Sequence, residues 1–331
     1  MGIATIRRCP PPRATFAAVL CWALLAGSAW AGLDQAGQCV GDADGDGKVT
    51  ADELVSAVNN SLDDCGFVPV TLNFRAQVGE EPFACGQIYE NVGTSHSRWL
   101  PADFRFYVSG VRLIKADRTE VPVHLKRDDW QDDDTALLDF ENHTQPCNNG
   151  TVETNTSIRG LAPAGEYTGV RFILGVPFAK NHRNPDSPEV VSPLNLDSMS
   201  WGWQLGYKFM RVDSFVVLDG PSFDEFRIHL GSTGCRYGRP LEVAGCVWPN
   251  RADVILTDFD AATDVIVADL AAVLADSDLT SNVPQTAPGC MSDQPDTDCV
   301  PVFRSLGLDF GDGFATPATQ KFFRLAPAAQ P

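Results

Sequence analysis

The sequence predicts an all-β fold: a disulfide-stapled antiparallel β-sandwich, preceded by a small N-terminal helix-loop unit. Short runs of alternating apolar and polar residues recur from Val70 onward, separated by Gly, Pro, Asn and Asp. Eight cysteines lie outside the N-terminal segment, and one acidic loop precedes the alternating runs. This spacing favours a sandwich over a βαβ sheet, in which strands alternate with longer helices.

Residues 1–31 have the pattern of a secretory signal peptide. Arg7, Arg8 and Arg13 precede an apolar run from Thr15 to Leu25, and Ala29-Trp30-Ala31 supplies the small residues of a cleavage site. No later stretch approaches the roughly 18 apolar residues of a membrane helix. We therefore expect an exported protein, located in the periplasm, at the cell surface or in the extracellular medium, with no membrane partner.

The charge of the chain excludes one class of partner. The formal net charge is −18, and it becomes −21 without residues 1–31, which carry three arginines and no acidic residue. Such an acidic surface repels nucleic acid phosphates and anionic lipids, so no nucleic acid partner is expected. A cation or a basic protein remains compatible, and the oligomeric state is left open.

The cysteine count indicates disulfides. An even number of cysteines in an exported chain is typical of a disulfide framework, whose connectivity cannot be deduced from sequence alone. Proximity along the chain suggests four pairs: Cys39–Cys65, Cys85–Cys147, Cys235–Cys246 and Cys290–Cys299. If every thiol is oxidised, a soft metal ion must find donors other than thiolates.

Residues 32–66 form the predicted N-terminal unit. The segment Asp42–Glu53 has carboxylates at loop positions one, three and five, Gly at six and Glu at twelve, which is the pattern of an EF-hand calcium loop. The unit resembles a lone EF-hand or half a dockerin, and we expect a structural calcium clip with a dissociation constant on the order of 0.1–1 mM. The predicted ligands are Asp42, Asp44, Asp46, Lys48 (through its backbone carbonyl), Thr50 and Glu53.

Residues 67–331 form the predicted β-sandwich. A short helix is expected at Asp269–Leu274. The alternating runs that predict strands are Val70–Arg75, Phe104–Leu113, Glu120–Leu125, Val170–Leu174, Gly202–Val212, Phe226–Leu230 and Ala252–Leu256.

The aromatic stretch from Ser198 to Phe209 receives the same interpretation. Trp201, Trp203, Leu205, Tyr207 and Phe209 alternate with smaller or polar residues, which predicts a β-strand with one aromatic face. Aromatic residues dominate protein cores, so both tryptophans could simply fill the sandwich. An intact indole N–H only donates, and Trp as translated cannot be a metal ligand.

Several separated motifs nevertheless resemble the MbnP family of secreted copper-binding proteins. The resemblance extends from about Val70 to Leu325. The matching segments are Asp103–Ser109, Ala136–Glu141, Gly175–Phe178, Asn181-His182, Trp201-Gly202-Trp203, Gly206–Phe209, His229–Cys235 and Cys290-Met291-Ser292.

This resemblance implies a copper site. The implied ligands are His182, His229 and Trp201, with Trp201 oxidised to kynurenine by a MauG-like di-haem oxidase. The chain has no Cys-x-x-Cys-His haem attachment motif of its own. The thioethers of Met199 and Met291 are further candidate donors for a cuprous ion.

No catalytic motif stands out, and the chain is not expected to be an enzyme. There is no Gly-x-Ser-x-Gly elbow, phosphate loop or His-Glu-x-x-His motif. The leading hypothesis is a copper-binding protein for copper uptake, buffering or delivery. The alternative is an extracellular carbohydrate- or protein-binding module, in which Trp201, Trp203 and Tyr207 form an exposed stacking face and calcium serves as its clip. A redox enzyme that uses the copper is a third hypothesis.

Overall fold

A computed structural model describes residues 50–51, 66–220, 222–238, 242–311 and 315–328. The chain divides into two compact units, Met1–Gly66 and Phe67–Pro331. The predicted signal segment and most of the predicted calcium loop lie outside the described residues. The residues of these predictions that fall outside are Cys39, Asp42, Asp44, Asp46, Lys48, Glu53 and Cys65.

The described part of the second unit consists mostly of strands. They are β1 Phe67–Val78, β2 Glu81–Pro82, β3 Tyr89–Val92, β4 Ser97–Ile114, β5 Glu120–Pro122, β6 His124–Leu125, β7 Thr135–Asp139, β8 Ser157–Pro163, β9 Gly169–Leu174, β10 Met210–Val217, β11 Phe223–Glu225, β12 Arg227–Leu230, β13 Thr233–Tyr237, β14 Val243–Trp248, β15 Ala252–Thr257, β16 Asp264–Asp269, β17 Gly289–Cys290 and β18 Phe323–Pro327. The helices are α1 Phe178–Asn181, α2 Leu270–Leu274 and α3 Cys299–Ser305, and 3-10 turns lie at Asp197–Met199 and Pro317–Thr319.

Three sheets organise these strands. The first has the order β18-β16-β1-β8-β6, with β2 paired to β1. The second has the order β15-β9-β4-β10-β12-β17, with β3, β5 and β7 also on β4 and β11 on β10. The hairpin β13-β14 forms a small sheet of its own. Most pairings are antiparallel as predicted, but β1 pairs with β16, and β12 with β17, in parallel.

The core lies between the two larger sheets. Phe74 of the first sheet meets Phe106 and Phe172 of the second, with ring centroids 6.2 and 5.8 Å apart. Strand β1 buries alternate residues, as expected for a strand with one face on the core. The middle of β4 is a continuous buried run, which requires cover on both faces of the sheet. Tyr107 of β4, for example, donates a hydrogen bond to the Pro193 carbonyl at 2.9 Å.

The predicted strands largely match the observed ones. Strands β1, β4, β9, β12 and β15 include or closely match five of the predicted runs. Helix α2 begins where expected, because the Asp269 side chain accepts a hydrogen bond from the Ala271 N–H at 3.0 Å. The run Glu120–Leu125 is divided between β5 and β6. The run Gly202–Val212 is the exception, since β10 begins only at Met210.

Three of the four predicted disulfides are present: Cys85–Cys147, Cys235–Cys246 and Cys290–Cys299. Disulfides of this kind persist in oxidising compartments outside the cytoplasm. Within the described ranges, none of the helices has the length and apolar character that crossing a membrane requires.

Candidate metal centre

The segment that carries both tryptophans is a tight turn, and the predicted aromatic strand is wrong here. Ser200 and Tyr207 form an isolated antiparallel bridge, and the Trp201 N–H donates to the Gly206 carbonyl at 3.0 Å. Gly202 and Gly206 adopt φ angles of +92° and +90°, which side chains with a Cβ rarely adopt. These two glycines therefore reverse the chain where the alternating pattern predicted an extended strand.

Two of the sequence motifs hold this turn from opposite sides. On one side, the Asn181 side chain accepts a hydrogen bond from the Tyr207 N–H at 2.9 Å. On the other side, Gly231 lies so close to the Trp201 ring that a Cβ there would collide with it. The motifs around His182 and His229 thus converge on the tryptophan turn.

His182 lies directly after α1 and contacts the turn through its ring. Its Nδ1 donates to the Trp203 carbonyl at 3.0 Å, because a carbonyl oxygen only accepts. Its Nε2 therefore carries the lone pair, and it lies 3.2 Å from Asn181 Nδ2 and 3.3 Å from Cys246 Sγ. Burial lowers the pKa of His182, and the Trp203 carbonyl opposes this shift. The ring is neutral at pH 7.

His229 lies on β12, opposite Arg211 of β10, and it is the imidazole next to Trp201. The two rings are 6.3 Å apart between centroids. The Nε2 atom of His229 hydrogen-bonds to Asp213 Oδ1 at 2.6 Å. Burial lowers the pKa of His229, and the hydrogen bond from its ring to Asp213 offsets part of that shift.

The charge of Asp213 decides the tautomer of His229. Burial alone would raise the pKa of Asp213, but the His229 hydrogen bond and the Arg211 charge outweigh it, so the pKa lies well below its usual range. Arg211 donates to Asp213 Oδ2 through Nε and Nη2, at 2.9 and 2.6 Å. An ionised carboxylate only accepts, so Nε2 of His229 carries the proton and Nδ1 the lone pair.

A buried ion network continues from Asp213 to the 3-10 turn that precedes Trp201. Arg211 also donates to the Ser198 carbonyl at 2.7 Å and pairs with Asp103 at 3.2 Å. Arg105 forms two hydrogen bonds to Asp103, at 2.9 and 2.6 Å, and one to Ser198 Oγ at 3.1 Å. The network therefore links the His229 ring to the backbone that positions Trp201.

Lys208 adds a further cation on this side of the turn. Its ammonium donates to the carbonyls of Ser198 and Ser200 at 2.9 and 3.2 Å. Burial lowers its pKa to about 8. Lys208 lies within the matching motif Gly206–Phe209 but was not among the predicted site residues. The neighbouring ion pairs were not predicted either, although Asp103-Phe104-Arg105 and Arg211-Val212-Asp213 place opposite charges on one face of a strand.

A cavity of about 510 Å³ opens beside the turn. Its lining includes Trp201, Leu205, Tyr237 and Met291, and Leu205 is 54% exposed. Met291 thus shares a cavity with Trp201, whereas Met199 is fully buried in the core. Tyr207 is also fully buried, so the prediction that its ring belongs to an exposed stacking face with Trp201 and Trp203 is wrong.

The fold and these contacts define a class of protein: a disulfide-stapled β protein in which a tryptophan turn is held between two histidine-bearing segments. Residues 68–292 match the model of the MbnP family, and the chain belongs to that family. The solved structure of MbnP from Methylosinus trichosporium superposes with a TM-score of 0.69 at 28% sequence identity, covering 80% of this chain and 99% of that one. A comparison with curated proteins gave no match.

Proposed function

We propose that this MbnP-family protein binds copper outside the cytoplasm and serves copper uptake, buffering or delivery. One copper ion would be held by His182, His229 and Trp201, the last after oxidation to kynurenine. Family membership and the three disulfides of an exported chain support this proposal. The protein acts as a binding protein rather than an enzyme.

The observation that carries the proposal is the hydrogen-bond partner of each imidazole, from which its tautomer follows. Metal-ligating histidines almost always donate their other ring N–H to a carboxylate or a backbone carbonyl. His182 does so to the Trp203 carbonyl and His229 to Asp213, which leaves Nε2 and Nδ1, respectively, as the basic nitrogens. Both rings lie against the turn that carries Trp201. Each ring thus offers one basic nitrogen beside this turn, which supports the proposal because imidazole is a suitable ligand for copper.

Trp201 would become a ligand only after its indole ring is opened. Opening inserts two oxygen atoms across the pyrrole double bond, and hydrolysis then removes one carbon as formate. The product has an aniline-type amine and a ketone, so a side chain that could only donate gains atoms with lone pairs. Trp201 is half-buried and lines a surface cavity, which leaves its ring accessible to oxygen and water.

The oxidant is proposed to be a MauG-like di-haem partner, because the chain has no haem attachment motif. In this view the protein is the substrate of that partner. The modification leaves a mass signature, since the residue gains one oxygen and loses one carbon.

Copper content and intact mass test the proposal together. The full chain is produced with and without a MauG-like partner, and bound copper is measured for wild type and for His182→Ala, His229→Ala and His96→Ala. His96 is exposed in a loop and serves as the matched control. We expect stoichiometric copper and the mass change at position 201 in wild type and His96→Ala, and loss of copper in the other two variants. Unmodified Trp201 together with full copper in both histidine variants contradicts the proposal.

A second function is favoured by the cavity beside Trp201. Aromatic and apolar lining residues together with a few polar ones are typical of small-molecule sites, and a glycan is one candidate ligand. A soluble oligosaccharide that protects tryptophan fluorescence from quenching, and loses this effect in Tyr237→Ala, would support that function. Absence of protection by a panel of glycans would exclude it for those ligands.

A further inference from the structure

The Cys235–Cys246 disulfide lies directly against His182. His182 Nε2 is 3.3 Å from Cys246 Sγ and 4.0 Å from Cys235 Sγ. The imidazole nitrogen and the two sulfur atoms all lie within 4.8 Å of one another. This nitrogen is also the one with the lone pair, because Nδ1 donates to the Trp203 carbonyl.

The backbone would keep these sulfur atoms together without the S–S bond. Cys235 and Cys246 are direct partners in the antiparallel hairpin β13-β14, and the pairs Thr233–Trp248 and Tyr237–Val243 flank them. Directly opposite residues in such a hairpin have Cβ atoms about 5 Å apart. Two thiolates at this position can both reach a single metal ion, since metal–sulfur bonds are about 2.3 Å long.

This disulfide is also the most accessible of the three to a reductant. Cys235 and Cys246 are half-buried, and each lines a cavity at the surface. In contrast, both sulfur-bearing residues of Cys290–Cys299 are fully buried, and in Cys85–Cys147 only Cys85 is half-buried, because Cys147 has no exposed surface. Thiol–disulfide exchange requires an attacking thiolate to reach a sulfur atom, so among the described disulfides we expect exchange to begin at this hairpin.

We propose that reduction of Cys235–Cys246 creates a second soft-metal site, formed by the two thiolates and His182 Nε2, that takes a cuprous ion. A dithiol reductant donates two electrons and two protons to the disulfide and becomes a disulfide itself. Binding of the cuprous ion then releases the two thiol protons. Two soft thiolates and one imidazole suit this ion, whereas a structural zinc site needs a fourth protein ligand. The inference goes beyond the proposed function and shares only His182 with it.

The experiment uses the full chain produced without a di-haem oxidase. Trp201 then keeps its indole ring, so the proposed kynurenine site cannot form. The protein is reduced briefly with dithiothreitol, alkylation and peptide mapping identify the reduced cysteines, and cuprous ion is titrated without oxygen against bathocuproine disulfonate. Among the three described disulfides, we expect reduction confined to Cys235–Cys246, and about one cuprous ion bound at this hairpin only after reduction.

Variants separate this site from the proposed one. Cys235→Ser with Cys246→Ser should abolish reduction-dependent binding, while His229→Ala should leave it unchanged. His182→Ala should weaken it at least about tenfold, and His96→Ala should match wild type. The proposal is overturned if the reduced wild type binds no more cuprous ion than the oxidised protein, or if the double serine variant still binds it. An affinity of His182→Ala within tenfold of wild type overturns the three-donor site. A different result would contradict the proposed kynurenine site, namely full copper in both His182→Ala and His229→Ala after treatment with the oxidase.

Discussion

The ion pair between Asp213 and Arg211 has a matched counterpart elsewhere in the protein, and the two pairs allow a controlled prediction. Arg171 likewise donates two hydrogen bonds to Asp253, from Nε to Oδ1 at 2.8 Å and from Nη2 to Oδ2 at 2.6 Å. The side chains of Asp213 and Arg211 are 11% and 12% exposed, whereas those of Asp253 and Arg171 are 25% and 34% exposed. We therefore compare Asp213→Asn with Asp253→Asn, two isosteric changes that differ in burial and in the contact that Asp213 also makes with His229.

The expected costs differ because water compensates only one of the two arginines. In Asp213→Asn the buried Arg211 loses its ionised partner and His229 loses a charged acceptor. Removing one partner of a buried pair costs about 3–5 kcal/mol, and we expect about 3 kcal/mol here, because Asp103 still contacts Arg211 at 3.2 Å. In Asp253→Asn the half-exposed Arg171 keeps water and Glu120, so about 1 kcal/mol or less is expected.

Urea unfolding of both variants, followed by tryptophan fluorescence and circular dichroism, measures the difference. The reasoning is refuted if Asp213→Asn costs less than Asp253→Asn, or if both cost about 1 kcal/mol. Acid provides a further check. The pKa of Asp213 is depressed, so its contribution to stability is present above about pH 4 and is lost as the pH falls below that value. The gap between wild type and Asp213→Asn should therefore narrow with falling pH.

Three other perturbations follow from the described contacts and the calcium pattern. Gly202→Ala and Gly206→Ala both place a Cβ at a positive φ, which costs about 1–2 kcal/mol. Only the new Cβ of Gly206→Ala would also meet Asn181, at 2.7 Å, so thermal unfolding should show the larger loss of stability in this variant. Equal losses of stability would contradict the contact. Burial raises the pKa of Asp139 to about 7, so ionising this carboxyl costs stability as the pH rises from 4 to 7. In urea titrations, the free energy of unfolding of Asp139→Asn relative to wild type should therefore increase by about 3 kcal/mol between pH 5 and pH 8. A pH-independent difference would be inconsistent with this. Calorimetric titration should give a calcium dissociation constant on the order of 0.1–1 mM, and the double variant Asp42→Ala, Glu53→Ala should no longer bind calcium. Unchanged binding in that variant would refute the loop as the site.

Strands were predictable where burial follows a period of two. Strand β1 and strand β9 have one face on the core, and their sequences show it. The turn at Trp201 was not predictable in this way, because its aromatic residues also occur at every second position. The distinguishing signal was the pair of glycines, which in an extended run often mark a bend or a close backbone approach.

The partners of the two histidines could not be predicted from local patterns. His182 meets sulfur atoms of residues 53 and 64 positions away, and His229 meets a carboxylate 16 positions away. Sequence periodicity describes one element at a time, whereas these contacts depend on which elements pack together. The motif resemblance singled out two histidines, both of which contact the tryptophan turn, but the tautomer of each ring required the three-dimensional contacts.

The two sides of the tryptophan turn are held by different interactions, and they should respond to different conditions. On the His229 side, the contacts depend on the ionised carboxylate of Asp213 and on buried arginine, so acid is the perturbation that weakens them. On the His182 side, the contacts are to a neutral amide, a carbonyl and a disulfide, so a reductant is the perturbation that changes the donor atoms. A copper ion bound between the two sides would depend on both at once. One experiment can measure its release by acid, and another can measure whether it is retained or transferred after a reductant is added. If acid weakened the contacts of both histidines equally, the difference between their partners would have no chemical consequence.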